Sequence, residues 1–262
     1  MTKTILITGA TDGIGQLTAK KLAAAGHRVL LHGRSAEKLE ATAKDIGGNT
    51  EIYVADLSNV DAAKSMAADI LANHVHLDVL INNAGVLKTP QPVLSNGLDI
   101  RFVVNTFAPY LLTEMLLPII PKAGRVVNLS SAAQARVNLD AMAGHGQLSD
   151  MDAYAQSKLA ITIWTSEMAK SSPDGPVVVA VNPGSLLASK MVKEGFGIAG
   201  SDLNQGADIL IDAALSDRFA DQSGAYFDND SGTFAEPHSA ASDPDHVQGV
   251  MARVESFVSD NR

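Results

Sequence analysis

The chain has 262 residues, of which 46% are hydrophobic and 19% charged, and these proportions are typical of a globular protein with a sizeable core. Its formal net charge is −9, with 29 acidic against 20 basic residues and no basic cluster, so we expect no nucleic-acid partner. Because the chain has no cysteine, disulfides, thiolate metal sites and a thiol nucleophile are excluded.

The apolar stretches are short throughout the chain. The first residues read MTKTILITGATDGIG, in which Ile5-Leu6-Ile7 is soon followed by Gly9 and Asp12, unlike a signal peptide. No continuous apolar run approaches the roughly 18 residues of a membrane-spanning helix. We therefore expect a soluble cytoplasmic protein with no membrane partner.

Short aliphatic runs alternate with longer helical patterns along the whole sequence. The predicted strands are 4–8, 28–32, 51–55, 77–83, 124–130, 176–182 and 224–227. The predicted helices are 14–26, 35–46, 59–74, 97–117, 152–171, 203–215 and 244–259. This alternation predicts an α/β fold in which a parallel sheet is doubly wound, with helices on both faces, in a single domain over residues 1–262.

Two long segments that contain glycine, 132–151 and 184–202, interrupt this alternation. Structureless loops of such length are uncommon in a compact domain unless they are functional. We expect both to shape a substrate site.

The turn after the first strand has the spacing Gly9-x-x-x-Gly13-x-Gly15 and leads directly into a helix. A glycine turn at a helix N-terminus presents backbone N–H groups to a phosphate, so it favours dinucleotide binding. The plainer alternative is a tight turn that needs glycine for its shape. The predicted cofactor-binding residues of this turn are Gly9, Thr11, Asp12, Gly13, Ile14 and Gly15.

The end of the second strand indicates which dinucleotide is bound. Proteins that bind NAD place an acidic residue there for the ribose 2′-hydroxyl, but this chain has Gly33 followed by Arg34. An arginine suits a 2′-phosphate, which favours NADP(H) over NAD(H). A solvent-facing arginine is the alternative, and the negative charge of Asp12 weakens the NADP(H) assignment slightly.

Further motifs follow in a fixed order along nearly the whole chain. After Thr8-Gly9-x-x-x-Gly13-x-Gly15 come Asp56-Leu57, Asn82-Asn83-Ala84-Gly85, Asn105, Ser131, Tyr154-x-x-x-Lys158 and Asn182-Pro183-Gly184. In this order the chain resembles the short-chain dehydrogenase/reductase family, whose domain is a Rossmann fold. The long gap between Ser131 and Tyr154, and the segment 104–120, resemble the retinol-dehydrogenase-like branch, from which we infer no retinoid substrate.

The resemblance implies cofactor contacts at three further places. Asp56 and Leu57 are expected at the adenine. Asn83, Ala84 and Gly85 are expected at the adenosine ribose. Pro183, Gly184 and Leu186 are expected at the nicotinamide.

The catalytic group implied by the resemblance is Asn105, Ser131, Tyr154 and Lys158. Tyr154 and Lys158 lie one helical turn apart and therefore project from the same face. The Lys158 ammonium is expected to lower the pKa of the Tyr154 phenol, so that Tyr154 can act as general acid and base between a carbonyl and a secondary alcohol. Both residues are also expected to contact the cofactor.

The other catalytic residues have supporting roles in the resemblance. Ser131 is expected to bond the reacting oxygen, since Ser130 points the other way along a strand. Asn105 is expected at a break in its helix, where it holds a water of the proton relay.

Alternatives to this enzyme remain. A non-catalytic NADP(H)-binding redox sensor is the main one, although such proteins usually lack the reactive residues, and a sugar-nucleotide epimerase is less favoured. His74 and His76 lack a third ligand, so we predict no metal site and a solvated turn. Met191 and Phe196 form either an apolar lid or plain packing.

Self-association is also implied by the resemblance. Dimers or tetramers would form through the helices near 97–117 and 152–171, unless the 132–151 segment blocks that face.

Overall fold

One continuous sheet of eight strands lies at the centre of the protein in the computed structural model, which describes residues 1–261 except the side chains of Glu194 and Phe196. In chain order the strands are β1 Thr4–Ile7, β2 Arg28–Gly33, β3 Thr50–Val54, β4 Val79–Asn82, β5 Arg125–Leu129, β6 Val177–Asn182, β7 Tyr226–Asp228 and β8 Thr233–Ala235. They lie side by side in the order β3-β2-β1-β4-β5-β6-β7-β8. Strands β1 to β7 are parallel, as predicted, and β8 pairs antiparallel with β7.

Helices connect the parallel strands. They are α1 Gly13–Ala24, α2 Ala36–Ile46, α3 Val60–Asn73, α4 Ile100–Phe102, α5 Ala108–Leu116, α6 Leu139–Met142, α7 Asp150–Ser171, α8 Lys190–Phe196, α9 Leu203–Leu215 and α10 Pro244–Asp260. A π-helical turn, Val103–Phe107, joins α4 to α5, and 3₁₀ turns cover Leu117–Ile119, Asp217–Phe219 and Ser239–Ser242. The helix predicted over 97–117 is therefore one helical stretch with a widened turn in it.

Apolar side chains fill a layer on each face of the sheet. Ile5 and Ile7 of β1 belong to the layer under α1 and α9, whereas Leu6 between them belongs to the layer under α3, α5 and α7. Successive side chains of a strand point to opposite faces, so both must be apolar when both faces are covered. This confirms the predicted doubly wound α/β fold.

The C-terminal helix α10 covers the outer side of α7. Phe257 of α10 stacks on Phe107 with ring centroids 4.3 Å apart, and Trp164 of α7 is fully buried edge-on against Tyr110. Helix α7 also packs against strands β5 and β6 and against α10. Self-association through the helices 97–117 and 152–171 stays a prediction.

One helical stretch, Ile100–Ile119, has the length and apolar composition of a membrane span, which differs from the sequence expectation. In the fold, 72% of its most apolar window is buried, as in the core helix of a globular domain. The sequence has no continuous apolar run over this stretch because Arg101, Asn105 and Glu114 interrupt it.

Both long segments contain short helices that the sequence pattern did not predict. Helix α6 begins after Asn138, whose side chain accepts hydrogen bonds from the backbone N–H groups of Asp140 and Ala141. Helix α8 begins after Ser189, which accepts one from Val192. His74 also differs from expectation, because it is buried and hydrogen-bonded to the Tyr53 hydroxyl rather than lying on a solvated turn.

Candidate active site

The carboxyl ends of four neighbouring strands bring the predicted site segments together. Gly9 comes just after β1, Asn83 after β4, Ser131 after β5 and Pro183 after β6. In a doubly wound sheet, the crevice for a ligand opens at this edge, where the strand order reverses between β1 and β4.

The first turn is compact because its glycines pack closely. A Cβ added at Gly9 would lie 2.9 Å from the Ala84 Cα, and one at Gly15 would lie 2.3 Å from Asn83 Nδ2. Gly13 has a φ of +55°, which favours glycine. The three glycine positions of the turn therefore have no side chain to fill the space at the N-terminus of α1, as a pyrophosphate cradle requires.

Thr8 and Asn83 fix this turn to the end of β4. The Thr8 hydroxyl oxygen accepts hydrogen bonds from the backbone N–H groups of Asn83 and Ala84, both at 3.0 Å. The Asn83 side-chain amide donates to the carbonyl oxygens of Thr8 and Gly9. Asn83 and Ala84 thus support the glycine turn directly, which their place in the sequence alone does not show.

His32 of β2 also holds the turn, and sequence reasoning missed it. Its Nδ1 accepts a hydrogen bond from the Gly9 N–H at 3.2 Å, and its Nε2 lies 3.1 Å from the Ala55 carbonyl oxygen. Burial lowers the pKa of His32 to about 4, so the ring is neutral at pH 7 and Nε2 carries the proton donated to Ala55.

Asp12 caps α1 with its carboxylate. Its Oδ1 accepts a hydrogen bond from the Gly13 N–H at 2.7 Å. One backbone N–H of the predicted phosphate site is therefore already bonded to a carboxylate. Ile14, next in the turn, packs into the core and close to Gly206 of α9.

At the end of β2, an acidic residue of the kind typical of NAD sites would displace the Thr11 side chain. A Cβ added at Gly33 would lie 2.8 Å from Thr11 Cγ2, so Thr11 fills the space that a carboxylate side chain at position 33 would enter. Arg34 follows and is exposed.

At the end of β3 the two predicted residues behave differently. The Asp56 carboxylate is exposed and accepts hydrogen bonds from the backbone N–H and the hydroxyl of Ser58. The Leu57 side chain is buried in the core, so a cofactor contact at this position could come only from its backbone.

Asn105 lies in the π-helical turn Val103–Phe107, where a break in the helix was expected. Its amide oxygen accepts from the Val86 N–H at 2.8 Å, and its amide nitrogen donates to the Val86 carbonyl and to the Ser157 hydroxyl. A Cβ added at Gly85 would lie 3.5 Å from Asn105 Oδ1 and 3.7 Å from Lys158 Nζ, so Gly85 keeps this corner of the site open.

The two serines after β5 point in opposite directions, as the strand pattern predicted. The buried Ser130 hydroxyl donates to the Lys158 carbonyl and bonds the Thr162 hydroxyl within α7. Ser131 is half-buried, and its hydroxyl accepts a hydrogen bond from the Ala133 N–H at 3.1 Å and interacts with Tyr154. Its backbone carbonyl accepts from Gln134 and from the Tyr226 hydroxyl.

Helix α7 places Tyr154 and Lys158 on one face, and the N-cap of the helix fixes where it begins. The Ser149 hydroxyl accepts a hydrogen bond from the Asp152 N–H at 3.1 Å and caps the helix, which begins at Asp150 rather than at the predicted 152. Lys158 Nζ lies 5.6 Å from the Tyr154 ring centroid and donates to the Leu129 carbonyl at 2.6 Å.

The pKa of Tyr154 differs in direction from the expectation. Burial raises it, and the hydrogen bond with Ser131 opposes that rise. Burial also lowers the pKa of Lys158 to about 8. The direction in this arrangement is therefore opposite to the expected lowering, because desolvation dominates and the Lys158 ammonium is directed at the Leu129 carbonyl.

On the β6 side, Pro183 is buried and Gly184 has a φ of +125°, and Leu186 is a non-glycine residue with a positive φ, +52°. Met191 of α8 reaches into the same region, since its Cε lies 3.7 Å from the position of a Cβ added at Gly85. The side chain of Phe196, the other predicted lid residue, lies outside the described residues.

The fold and this arrangement define a nucleotide-binding oxidoreductase domain. A family profile described as short chain dehydrogenase matches residues 3–196, and the chain belongs to the short-chain dehydrogenase/reductase family.

Within that family the chain lies in the retinol-dehydrogenase-like branch. Human retinol dehydrogenase 13 is 34% identical over 260 residues, an alignment that covers 86% of this chain and 76% of that protein. The crystal structure of an uncharacterised protein from Mycobacterium paratuberculosis superposes with a TM-score of 0.81 at 28% identity, over 98% of this chain and 93% of that one. A short-chain dehydrogenase from Shigella flexneri complexed with NADP has a TM-score of 0.69 at 28% identity, over 87% and 97% of the two chains.

Proposed function

We propose that the protein is an NADP(H)-dependent oxidoreductase that interconverts a small-molecule carbonyl and the corresponding alcohol, with Tyr154 as general acid and base. The observation that carries this proposal is the placement of Tyr154 and Lys158 on one face of α7, with Lys158 Nζ 5.6 Å from the Tyr154 ring centroid and Asn105 beside it, at the edge where the glycine turn opens.

In the reductive direction, Tyr154 donates its proton to the carbonyl oxygen of the substrate. A raised pKa keeps the phenol protonated at neutral pH, which is the form that this donation needs. Ser131 donates a hydrogen bond to the same oxygen and stabilises the negative charge that develops there. The nicotinamide, when bound, supplies the hydride in reduction and accepts it in oxidation.

Lys158 and Asn105, which lie close to Tyr154, support the proton transfer. Asn105 bonds Ser157, whose hydroxyl donates to the Tyr154 carbonyl, so the π-helical turn and the Tyr154 helix are tied together beside Lys158. Lys158 binds the nicotinamide ribose, and Asn105 holds a water that returns the proton to Tyr154.

The cofactor is held by the segments that the structure gathers at the sheet edge. The glycine turn binds the pyrophosphate, Asp56 and the Leu57 backbone bind the adenine, and residues 83–85 line the adenosine ribose. Residues 183–186 flank the nicotinamide. The segments 132–151 and 184–202 shape the substrate site.

Turnover with a panel of carbonyl compounds tests the proposal. NADPH oxidation is measured with ketones, aldehydes and quinones, and retinaldehyde is included because named relatives are retinol dehydrogenases. We expect at least one aldehyde or ketone to be reduced. Inertness toward the whole panel with tight NADPH binding would instead favour the non-catalytic redox sensor.

Replacing Arg34 with alanine tests the preference for NADP(H). The exposed guanidinium beside Gly33 is expected to pair with the 2′-phosphate, so Arg34→Ala raises the Kd for NADPH by about 10-fold or more and leaves that for NADH nearly unchanged. Fluorescence titration measures both. An equal effect on the two nucleotides contradicts the assignment, and Arg253→Ala on the exposed surface of α10 serves as the control.

Replacing Asp12 with asparagine is expected to tighten NADPH binding. Asparagine is as good an N-cap as aspartate, so α1 keeps its stability, while a negative charge next to the predicted pyrophosphate is removed. We expect the Kd to fall about three- to ten-fold at low salt and less at high salt, because ions screen this repulsion. Weaker binding by Asp12→Asn would mean that the phosphates do not approach this helix end.

A further inference from the structure

The turn between β7 and β8, residues 229–232, lies against the segment that follows β6. Asn182 at the end of β6 pairs with Asp228 at the end of β7, so the two strands end side by side. The Asn182 side-chain amide donates to the carboxylates of Asp228 at 2.7 Å and Asp230 at 2.9 Å. The Asn229 side chain donates to the Pro183 carbonyl at 2.9 Å.

Within this turn, Asp230 reaches the residue furthest beyond the end of β6, which is Ser185. Its Oδ1 accepts a hydrogen bond from the Ser185 N–H at 2.7 Å, and its Oδ2 accepts one from the Ser185 hydroxyl. Partial burial opposes ionisation, but the hydrogen bonds from Ser185 and Asn182 outweigh it and lower the pKa of Asp230. The carboxylate is therefore charged at neutral pH and accepts charge-assisted hydrogen bonds.

The segment that Asp230 holds has an unusual backbone. Gly184 and Leu186, on either side of Ser185, both have positive φ, and Leu186 is also 45% exposed. A left-handed non-glycine residue persists only where its surroundings fix it. Here the Ser201 N–H holds the Leu186 carbonyl at 2.8 Å from one side, and Asp230 holds Ser185 from the other.

We propose that Asp230 is a positioning residue for the cofactor: by holding Ser185 it sets the path of residues 183–186, which receive the nicotinamide. This inference rests on the proposed function for the identity of the bound nucleotide. Asp230 acts through Ser185 and Asn182 and does not itself touch the cofactor. Strand β7 thereby supports both sides of the site, since its Tyr226 bonds the Ser131 carbonyl at 3.1 Å.

Substitutions at Asp230 and Ser185 test this role. Asp230→Ala removes all three hydrogen bonds, and Asp230→Asn keeps the size but turns an amide group toward the Asn182 amide. We expect Asp230→Ala to raise the Kd and the KM for NADPH about 10-fold, the size of effect that a charge-assisted hydrogen bond can produce, with the KM for the carbonyl substrate within about two-fold of wild type. Asp230→Asn gives a smaller change of the same kind.

Hydrogen exchange gives a readout that needs no turnover. The Ser185 amide is expected to exchange at least about 10-fold faster in Asp230→Ala, because it loses its acceptor. In a double-mutant cycle, Ser185→Ala and Asp230→Ala raise the Kd for NADPH less than additively, since they remove the same contact. Asp221→Ala, an exposed acidic residue shortly before β7, is the matched control and leaves both readouts unchanged.

Wild-type NADPH affinity together with wild-type Ser185 exchange in Asp230→Ala would overturn the inference. If wild-type protein binds NADPH but reduces no carbonyl, the proposed enzymatic function fails, whereas the NADPH Kd and the Ser185 exchange rate still decide the role of Asp230. Weaker NADPH binding that Asp221→Ala shares to the same extent would also contradict it, because the effect would then follow from surface charge.

Discussion

Replacing Tyr154 with phenylalanine is expected to lower kcat by about 10²- to 10⁴-fold, the contribution typical of a positioned general acid. The ring stays in place because α7 is fixed by its Ser149 cap and by packing on both sides. Only the hydroxyl that bonds Ser131 is lost. The Kd for NADPH is therefore expected to rise by no more than about ten-fold, since a single neutral hydrogen bond contributes about 0.5–1.5 kcal/mol.

Steady-state NADPH oxidation and fluorescence titration measure these two quantities. Tyr53→Phe is the matched control, since the Tyr53 hydroxyl bonds His74 at the far edge of the sheet. Near wild-type turnover by Tyr154→Phe would rule out the proton-transfer role. Loss of NADPH binding in that variant would show instead that the phenol serves mainly to bind the cofactor.

Replacing Lys158 with methionine is expected to abolish most turnover and at the same time to stabilise the protein measured without nucleotide. Burial lowers the pKa of Lys158 from 10.5 to about 8, which corresponds to roughly 3 kcal/mol of unfavourable free energy for the charged form at pH 7. Methionine has a similar length and no charge, but it loses the hydrogen bond to Leu129, worth about 1 kcal/mol. The expected net gain is about 2 kcal/mol.

The pH dependence of the stability difference between Lys158→Met and wild type shows whether burial of the charged lysine causes it. The folded-state pKa of Lys158 lies below its unfolded value, so between about pH 8 and 10.5 the folded protein binds fewer protons than the unfolded chain, and wild-type stability rises with pH. The advantage of Lys158→Met should therefore be constant below about pH 8, fall as the pH rises, and by about pH 10.5 give way to a deficit of about 1 kcal/mol from the lost hydrogen bond. Urea unfolding across this range measures it.

Lys170→Met, at an exposed position on the same helix, is the control and is expected to show neither the gain nor the pH dependence. If Lys158→Met is less stable than wild type at pH 7, the ammonium is not penalised by burial, and its desolvation does not explain the pKa shifts at this site.

The long elements of the fold were predictable because their signals are local. Continuous apolar runs such as Ile5-Leu6-Ile7 identify strands covered on both faces, and serines such as Ser35 and Ser149, which cap helices in the structure, are local signals of a helix start. The short elements were not predictable. Strand β8, with only Thr233–Ala235, exists because β7 offers it a partner, and a three-residue segment has no periodicity to detect.

The candidate site shows the same division. The sequence identified residues in ordered motifs, such as Tyr154 and Lys158, as site candidates because the motif order itself is the signal. His32 and Asp230 were missed because their partners, Gly9 and Ser185, are distant in sequence and come close only when strands pair. The direction of the Tyr154 pKa shift also depends on burial, which the four-residue spacing to Lys158 does not reveal.

The central claim is that Tyr154 transfers a proton to the oxygen of the substrate in the step in which hydride moves. The most direct test is a single-turnover measurement of NADPH oxidation in water and in D₂O, with NADPH carrying hydrogen or deuterium at the transferred position, so that product release does not mask the step. We predict that turnover by the wild-type protein is slower in D₂O than in water and slower with deuterated NADPH. The residual turnover of Tyr154→Phe should no longer depend on whether the solvent is water or D₂O. A wild-type rate that is the same in water and in D₂O would contradict the claim.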